Sequence, residues 1–169
     1  MKRPRVLIFM GVAGSGKTTV AALFAKRTGA VFYEGDEFHP PENLEKMRRG
    51  VPLTDGDREK WLGALKEIIL RSLKKNEFAV ITCSALKSAY RELLQARDSR
   101  VKFVHLTGPR AVIEERLKNR RGHFMSPNLL DSQFAILEPP ADALTFSCEN
   151  SPEAIVEELI QVLGMGGAD

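Results

Sequence analysis

Apolar positions along the chain follow two alternating patterns. Val6-Leu7-Ile8-Phe9-Met10 is a continuous run of strand formers closed by Gly11, the pattern of a strand buried on both faces of a parallel sheet. Runs of the same kind recur at Ala30 to Tyr33, Phe78 to Thr82, Val101 to Thr107 and Ala143 to Cys148. Between them the apolar residues step by three and four. Trp61, Leu62, Leu65, Ile68, Ile69 and Leu73 mark one amphipathic helix, and Ile155, Val156, Leu159, Ile160 and Leu163 mark the last. Ser151-Pro152 supplies an N-cap and a proline at the first helical position, and Gly108-Pro109 opens a helix running toward Arg120. Strand and helix alternate, which predicts a doubly wound α/β sheet with right-handed crossovers.

Two stretches break the alternation, Glu34 to Asp57 and Gly122 to Pro140, the second holding a short helical pattern from Pro127 to Leu137. Ligand crevices in such sheets lie beyond the carboxyl ends of the strands, so insertions there, at about 37–58 and 120–140, are expected to form a substrate pocket and a lid. The 169 residues show no internal repeat or linker and predict a single domain, 1–169. A content of 43% hydrophobic and 28% charged residues excludes a disordered chain. The excess of 25 Lys and Arg over 22 Asp and Glu suits a phosphate-rich ligand and is too mild for a dedicated nucleic-acid binder. Cys83 and Cys148 belong to no Cys-x-x-Cys pair, which points to a reduced, cytoplasmic setting. No run approaches the ~18 apolar residues of a membrane span, and Val6 to Met10 is too short for a signal-peptide core.

Gly11-Val12-Ala13-Gly14-Ser15-Gly16-Lys17-Thr18 matches GxxxxGK[ST] directly after the first strand and directly before the helical run Thr19 to Arg27. Gly11, Gly14 and Gly16 permit a backbone path that lets successive N–H groups converge on phosphate oxygens at a helix N-terminus. Lys17 then reaches the β- and γ-phosphates and the Thr18 hydroxyl ligates Mg²⁺. The motif indicates a nucleoside triphosphate and leaves open whether water or a substrate receives the γ-phosphoryl group. The run Phe78 to Thr82 ends in Cys83-Ser84 rather than in an acid, and no Asn/Thr-Lys-x-Asp stretch is present, so a small-molecule kinase is favoured over a switch or motor hydrolase.

The second run ends in Glu34-Gly35-Asp36, two carboxylates on a strand read as a neighbour of the phosphate loop. Asp36 is assigned to orient the acceptor hydroxyl and take its proton, and Glu34 to hold a magnesium-bound water; two solvated acids in a turn are the alternative. Downstream, Arg58, Lys46, His39 and Asn43 form a set able to bind a carboxylate and hydroxyls. Asp55 either caps the helix that begins there or joins the pocket, while Trp61 shares the helix's apolar face and reads as core. Lys87 and Arg91 lie four residues apart, which makes them an anion site or a solvated basic face. Cys83 reads as a small hydrophobe and His105 as a core histidine. Arg116 and Arg120, on one helical face before Gly122, are either lid cations or partners of the helix dipole.

These residues resemble the gluconokinases of the thermoresistant family, P-loop small-molecule kinases related in fold to shikimate and nucleoside monophosphate kinases. The resemblance rests on Gly11 to Thr18; on His39-Pro40, Asn43, Lys46-Met47, Gly50, Pro52-Leu53, Asp55, Asp57-Arg58 and Trp61-Leu62; on Cys83-Ser84-Ala85-Leu86-Lys87 with Tyr90-Arg91; and on Arg116, Arg120, Gly122-His123-Phe124 and Gln133-Phe134. It implies an α/β P-loop NTPase fold with a five-stranded parallel sheet and a lid. It also implies transfer of the ATP γ-phosphate to the 6-hydroxyl of D-gluconate, and a homodimer.

Residue reading and resemblance together assign nucleotide binding to Gly11, Val12, Ala13, Gly14, Ser15, Gly16, Lys17, Thr18 and Thr19. Catalysis is assigned to Lys17, Asp36, Arg116 and Arg120, and Mg²⁺ to Thr18 and Glu34. The gluconate site comprises Asp36, His39, Lys46, Arg58, Ser84, Lys87, Arg91, His123 and Gln133. Glu34 stands where the family's more familiar residue is aspartate. A kinase of another small acceptor would keep the loop and change the pocket; a regulatory ATP-binding protein would keep the loop and form no product.

Overall fold

The structure, a computed structural model, describes residues 3–120 and 126–166. Five parallel strands form one sheet: β1 (Val6–Met10), β2 (Val31–Tyr33), β3 (Ala79–Thr82), β4 (Val101–Thr107) and β5 (Leu144–Ser147), in the order β2-β3-β1-β4-β5. Every predicted strand forms, β1 and β4 with the expected bounds and the other three shorter by one residue at one or both ends. β1 runs down the centre, with Val6 in register with Ala79 on one side and Val101 on the other.

All five β1 side chains are fully buried, and their alternation divides them between two layers. Val6, Ile8 and Met10 pack with Trp61, Leu65 and Ile69 of α3 (Asp55–Lys74) and Leu94 of α4 (Ser88–Gln95). Leu7 and Phe9 pack with Val20 and Phe24 of α1 (Lys17–Thr28) and with Ile155 and Leu159 of α7 (Pro152–Val162). Helices on both faces explain why the run carries no polar position. A third cluster joins Val12 of the phosphate loop to Ile113 of α5 (Arg110–Lys118) and Leu130 of α6 (Pro127–Ile136), so these helices rest on the loop itself.

Two expectations change. β3 intervenes between β2 and β1, so the strand carrying Glu34 does not neighbour the strand that feeds the phosphate loop. Asp55 does not cap α3: the Thr54 hydroxyl accepts from Asp57 N–H at 3.1 Å, and the Asp57 carboxylate accepts from Thr54 N–H at 2.9 Å. This reciprocal box satisfies two amide donors at once and leaves Asp55 free to face another helix. The insertion near 37–58 contains a 3₁₀ turn, Gly35–Phe38, and α2 (Pro41–Arg48).

Candidate functional site

The chain leaves β1 through Gly11, Gly14 and Gly16, whose φ angles of +145°, +79° and +94° lie where L side chains are strained. Gly14 also lies against α5, since a Cβ there would meet Leu117 Cγ at 2.8 Å. Gly16 is the N-cap of α1 and offers no capping side chain, so the first-turn N–H groups have no side-chain cap of their own and suit an anion. Lys17 curls over the loop, its Nζ donating to the carbonyls of Gly11 at 2.9 Å and Val12 at 3.0 Å. Burial pulls its pKa down, and the carboxylates of Asp36 and Glu34 oppose that shift. Ala13 N–H donates to Gln133 Oε1 at 2.7 Å, fastening α6 to the loop.

Beside the loop, Glu34 is held by two hydroxyls. Thr18 Oγ1–H donates to Oε2 at 2.6 Å and Thr82 Oγ1–H to Oε1 at 2.5 Å, while Thr82 Oγ1 accepts from Gly35 N–H at 2.9 Å. Thr82 ends β3, so the intervening strand carries the Glu34 carboxylate to α1. Gly35 permits this approach because a Cβ there would overlap the Thr82 carbonyl oxygen. A hydroxyl and a carboxylate from different elements are hard oxygen donors of the kind Mg²⁺ takes, usually few in number with water completing the shell. Sequence reading missed Thr82; its signal is a lone hydroxyl closing an apolar parallel strand.

A cavity of about 740 Å³ opens from this point. Ala13, Gly14, Gly16, Lys17 and Thr18 line one end; His39, Arg58 and Trp61 line the other; Asp36, Ser84, Arg120 and Gln133 also face it. Asp36 sits on the 3₁₀ turn with its side chain 78% exposed. His39 stacks on Trp61 with ring centroids 4.0 Å apart, and Trp61 Nε1–H donates to the Gly35 carbonyl at 2.8 Å. Asn43 Nδ2 donates to Asp57 O at 2.8 Å and lies 3.2 Å from His39 Nδ1. Because that nitrogen of Asn43 is a donor, His39 Nδ1 accepts and Nε2 carries the ring proton, 4.0 Å from Asp36 Oδ1. Burial lowers the His39 pKa to about 4, so the ring is a neutral hydrogen-bonding group near pH 7.

The remaining cations divide. Lys46 Nζ pairs with Asp57 at 2.8 Å, Lys87 Nζ with Asp55 at 2.9 Å, and neither lines the cavity. Arg91 is buried, donating to the carbonyls of Ala85, Leu86 and Glu138 at 2.8, 3.1 and 2.8 Å, so it ties α4 to the chain after α6. The expected shared face of Arg116 and Arg120 does not form, because α5 ends at Lys118. Arg116 turns to the Cys148 carbonyl and Arg120 to the cavity. Arg48, at the end of α2, lines the cavity without having been singled out in the sequence. Ser15 is buried and Thr19 exposed on α1. His123 lies outside the described residues. Cys83 and His105 are core residues; burial pushes the Cys83 thiol up to about 12, which removes it as a nucleophile.

A family model described as an AAA domain matches residues 6–140. The gluconokinase of Gluconobacter oxydans is 47% identical over 162 residues, which cover 94% of this chain and 91% of that protein. Among solved structures, a gluconokinase from Sinorhizobium meliloti is similar with a TM-score of 0.86 at 39% identity, covering 98% of this chain and 94% of that one. Shikimate kinase from Aquifex aeolicus, at 22% identity, a TM-score of 0.60 and coverage of 96% and 99%, shares the fold.

Proposed function

The chain belongs to the gluconokinase family, and on that premise we propose that it transfers the γ-phosphoryl group of ATP to the 6-hydroxyl of D-gluconate, forming 6-phosphogluconate and ADP. The observation that carries this reading is that a single cavity joins a phosphate loop at one end to Arg58 and His39 at the other, with the Asp36 carboxylate also facing it. Phosphoryl transfer through a loose transition state asks mainly for alignment and neutralised charge, and the cavity is built to supply both.

The loop amides and Lys17 bind the triphosphate. Lys17 must release the carbonyls of Gly11 and Val12 to do so, and its ammonium is already desolvated, which strengthens its attraction to phosphate oxygens. Arg58 receives the sugar-acid carboxylate, and His39 Nε2–H donates to a sugar hydroxyl as a neutral group. Asp36 accepts the proton of the attacking hydroxyl. Arg120, from the lid side, neutralises charge on the transferring group, and Arg116 steadies the loop beside Gly16. Thr18 and Glu34 are the residues that would hold Mg²⁺. Bound there, the ion would screen the charge of the β- and γ-phosphates.

A cytoplasmic setting fits the two buried free cysteines. The homodimer implied by the family resemblance is part of the proposal, and sedimentation velocity tests it. The decisive assay couples ADP release to purified protein with gluconate, ATP and Mg²⁺. Turnover with gluconate well above that with shikimate, pantothenate or AMP is expected, and comparable turnover of any of the three overturns the substrate assignment.

A further inference from the structure

The first residue of α3, Asp55, has no capping duty, yet two donors from the start of α4 converge on its carboxylate. The Tyr90 hydroxyl donates to Asp55 Oδ1, and Lys87 Nζ donates to the same oxygen at 2.9 Å. These contacts hold the Asp55 carboxyl below its usual range, Tyr90 contributing most, so at neutral pH the group is ionised and can only accept.

A phenol has one proton. With that proton committed to Asp55, the Tyr90 oxygen can serve only as an acceptor, and the donor facing it is Arg58 Nη1 at 3.4 Å. The same Nη1 donates to the Leu53 carbonyl at 2.8 Å, and the Arg58 guanidinium carbon lies 5.7 Å from the centroid of the Tyr90 ring. One nitrogen of Arg58 is thereby fixed by two acceptors. Its Nε and Nη2 donors meet no protein acceptor among the described residues, and Arg58 lines the cavity. Such a fork suits a carboxylate gripped by two parallel hydrogen bonds.

We propose that Asp55 is a positioning residue for carboxylate recognition: acting through the Tyr90 hydroxyl, it fixes the guanidinium of Arg58 so that its remaining donors face the substrate. This inference rests on the sugar-acid reading of the cavity. Neither Asp55 nor Tyr90 touches the substrate in this arrangement. Without the acceptor, the Tyr90 proton is free to turn toward Arg58, which has no lone pair to receive it, and the fork loses one of its two anchors.

Steady-state kinetics and thermal melts on the full chain test the relay with Asp55→Ala, Tyr90→Phe, the double variant and Asp55→Glu. The alanine removes the oxygen on which Tyr90 and Lys87 converge, so the Tyr90 proton loses its acceptor. Each single change is expected to raise the gluconate KM about tenfold, with kcat and the ATP KM within about twofold of wild type. The double variant is expected to match the singles, because both cut the same chain, and Asp55→Glu to recover much of the loss. Should Asp55→Ala fail to fold, Tyr90→Phe, which keeps the packed ring, carries the test.

A gluconate KM unchanged in the single variants, with or without a lowered Tm, assigns the cluster to helix packing and overturns the proposal. So do additive effects in the double variant. A KM that falls overturns it in the other direction, since Asp55 would then compete with the substrate for Lys87 and Arg58. Wild-type protein that fails to phosphorylate gluconate defeats the underlying reading, whereas active wild type with indifferent variants defeats this inference alone.

Discussion

At the β1 end of the cavity, the proposed phosphate recognition rests on main-chain groups of eight consecutive residues, Gly11 to Thr18. At the far end the proposed sugar-acid recognition rests on the side chains of His39, at the 3₁₀ turn's edge, and Arg58 of α3, each already engaged with another part of the protein. His39 leans on Trp61 and takes a hydrogen bond from Asn43; Arg58 is fixed by the Leu53 carbonyl and Tyr90. A backbone site needs only the correct φ and ψ angles, and glycine supplies them locally. A side-chain site needs each long chain held against its own rotational entropy, which draws in residues that never meet the ligand. The lesson is that a cation near a pocket has to be asked what it is attached to before it is counted as a ligand.

The largest effect is expected at the loop. Lys17→Met removes the only ammonium lining the cavity among the described residues and should lower kcat by about 10³ while the protein stays folded. A loss under tenfold would mean that the amides alone carry the phosphate charge. The next test sets two arginines against each other. Arg58→Lys keeps the charge and loses the fork, so the gluconate KM should rise about tenfold with little change in Tm. Arg91→Lys should do the reverse. It strips the buried carbonyls of Ala85 and Leu86 and the part-buried one of Glu138 of their shared guanidinium, costing about 2 kcal/mol of stability in a urea melt, and leaves the gluconate KM near wild type. If Arg91→Lys raises KM without loss of stability, the division between strut and ligand is wrong for that residue.

How far each region is legible in the sequence follows from the same contrast. The five strands and the phosphate loop are encoded by runs of neighbouring residues, so Val6–Met10 and Gly11–Thr18 can be read without knowing where the rest of the chain goes. Strand order cannot. Nothing in Val31–Tyr33 announces that β3 lies between it and β1, and the hydroxyl of Thr82 that bridges the gap comes from 48 residues beyond Glu34. The expected partners Lys46, Lys87 and Arg91 have the right chemistry, but their attachments to Asp57, Asp55 and three carbonyls depend on helix packing. Asp55 shows the limit most clearly. It opens α3 and looks like a cap, yet Thr54 one residue earlier takes that role and releases it toward Tyr90.

The smallest expected effect concerns pH, and it separates the two ends by stability rather than by rate. His39 has a pKa of about 4 in the folded protein against 6.5 unfolded, with burial as the main cause and the nearby Asp36 carboxylate acting against it. Between those values the unfolded chain binds a proton that the folded one refuses, so the unfolded state gains as pH falls. Stability is therefore full above about pH 6.5 and declines toward pH 4, by on the order of 2 kcal/mol once solvent screening is allowed for. Asp57, held near 2 by Lys46 and Thr54, loses its contribution only below its ordinary value of 3.8, outside this window. Urea midpoints measured at pH 7.5, 6 and 5 should fall in the wild type and stay nearly level in His39→Gln. Asp36→Asn should steepen the wild-type decline, because it removes the carboxylate that favours the protonated ring, 4.0 Å away. Equal slopes in wild type and His39→Gln would show that the ring titrates freely, and with that its role as a fixed neutral donor at the acceptor end would fail.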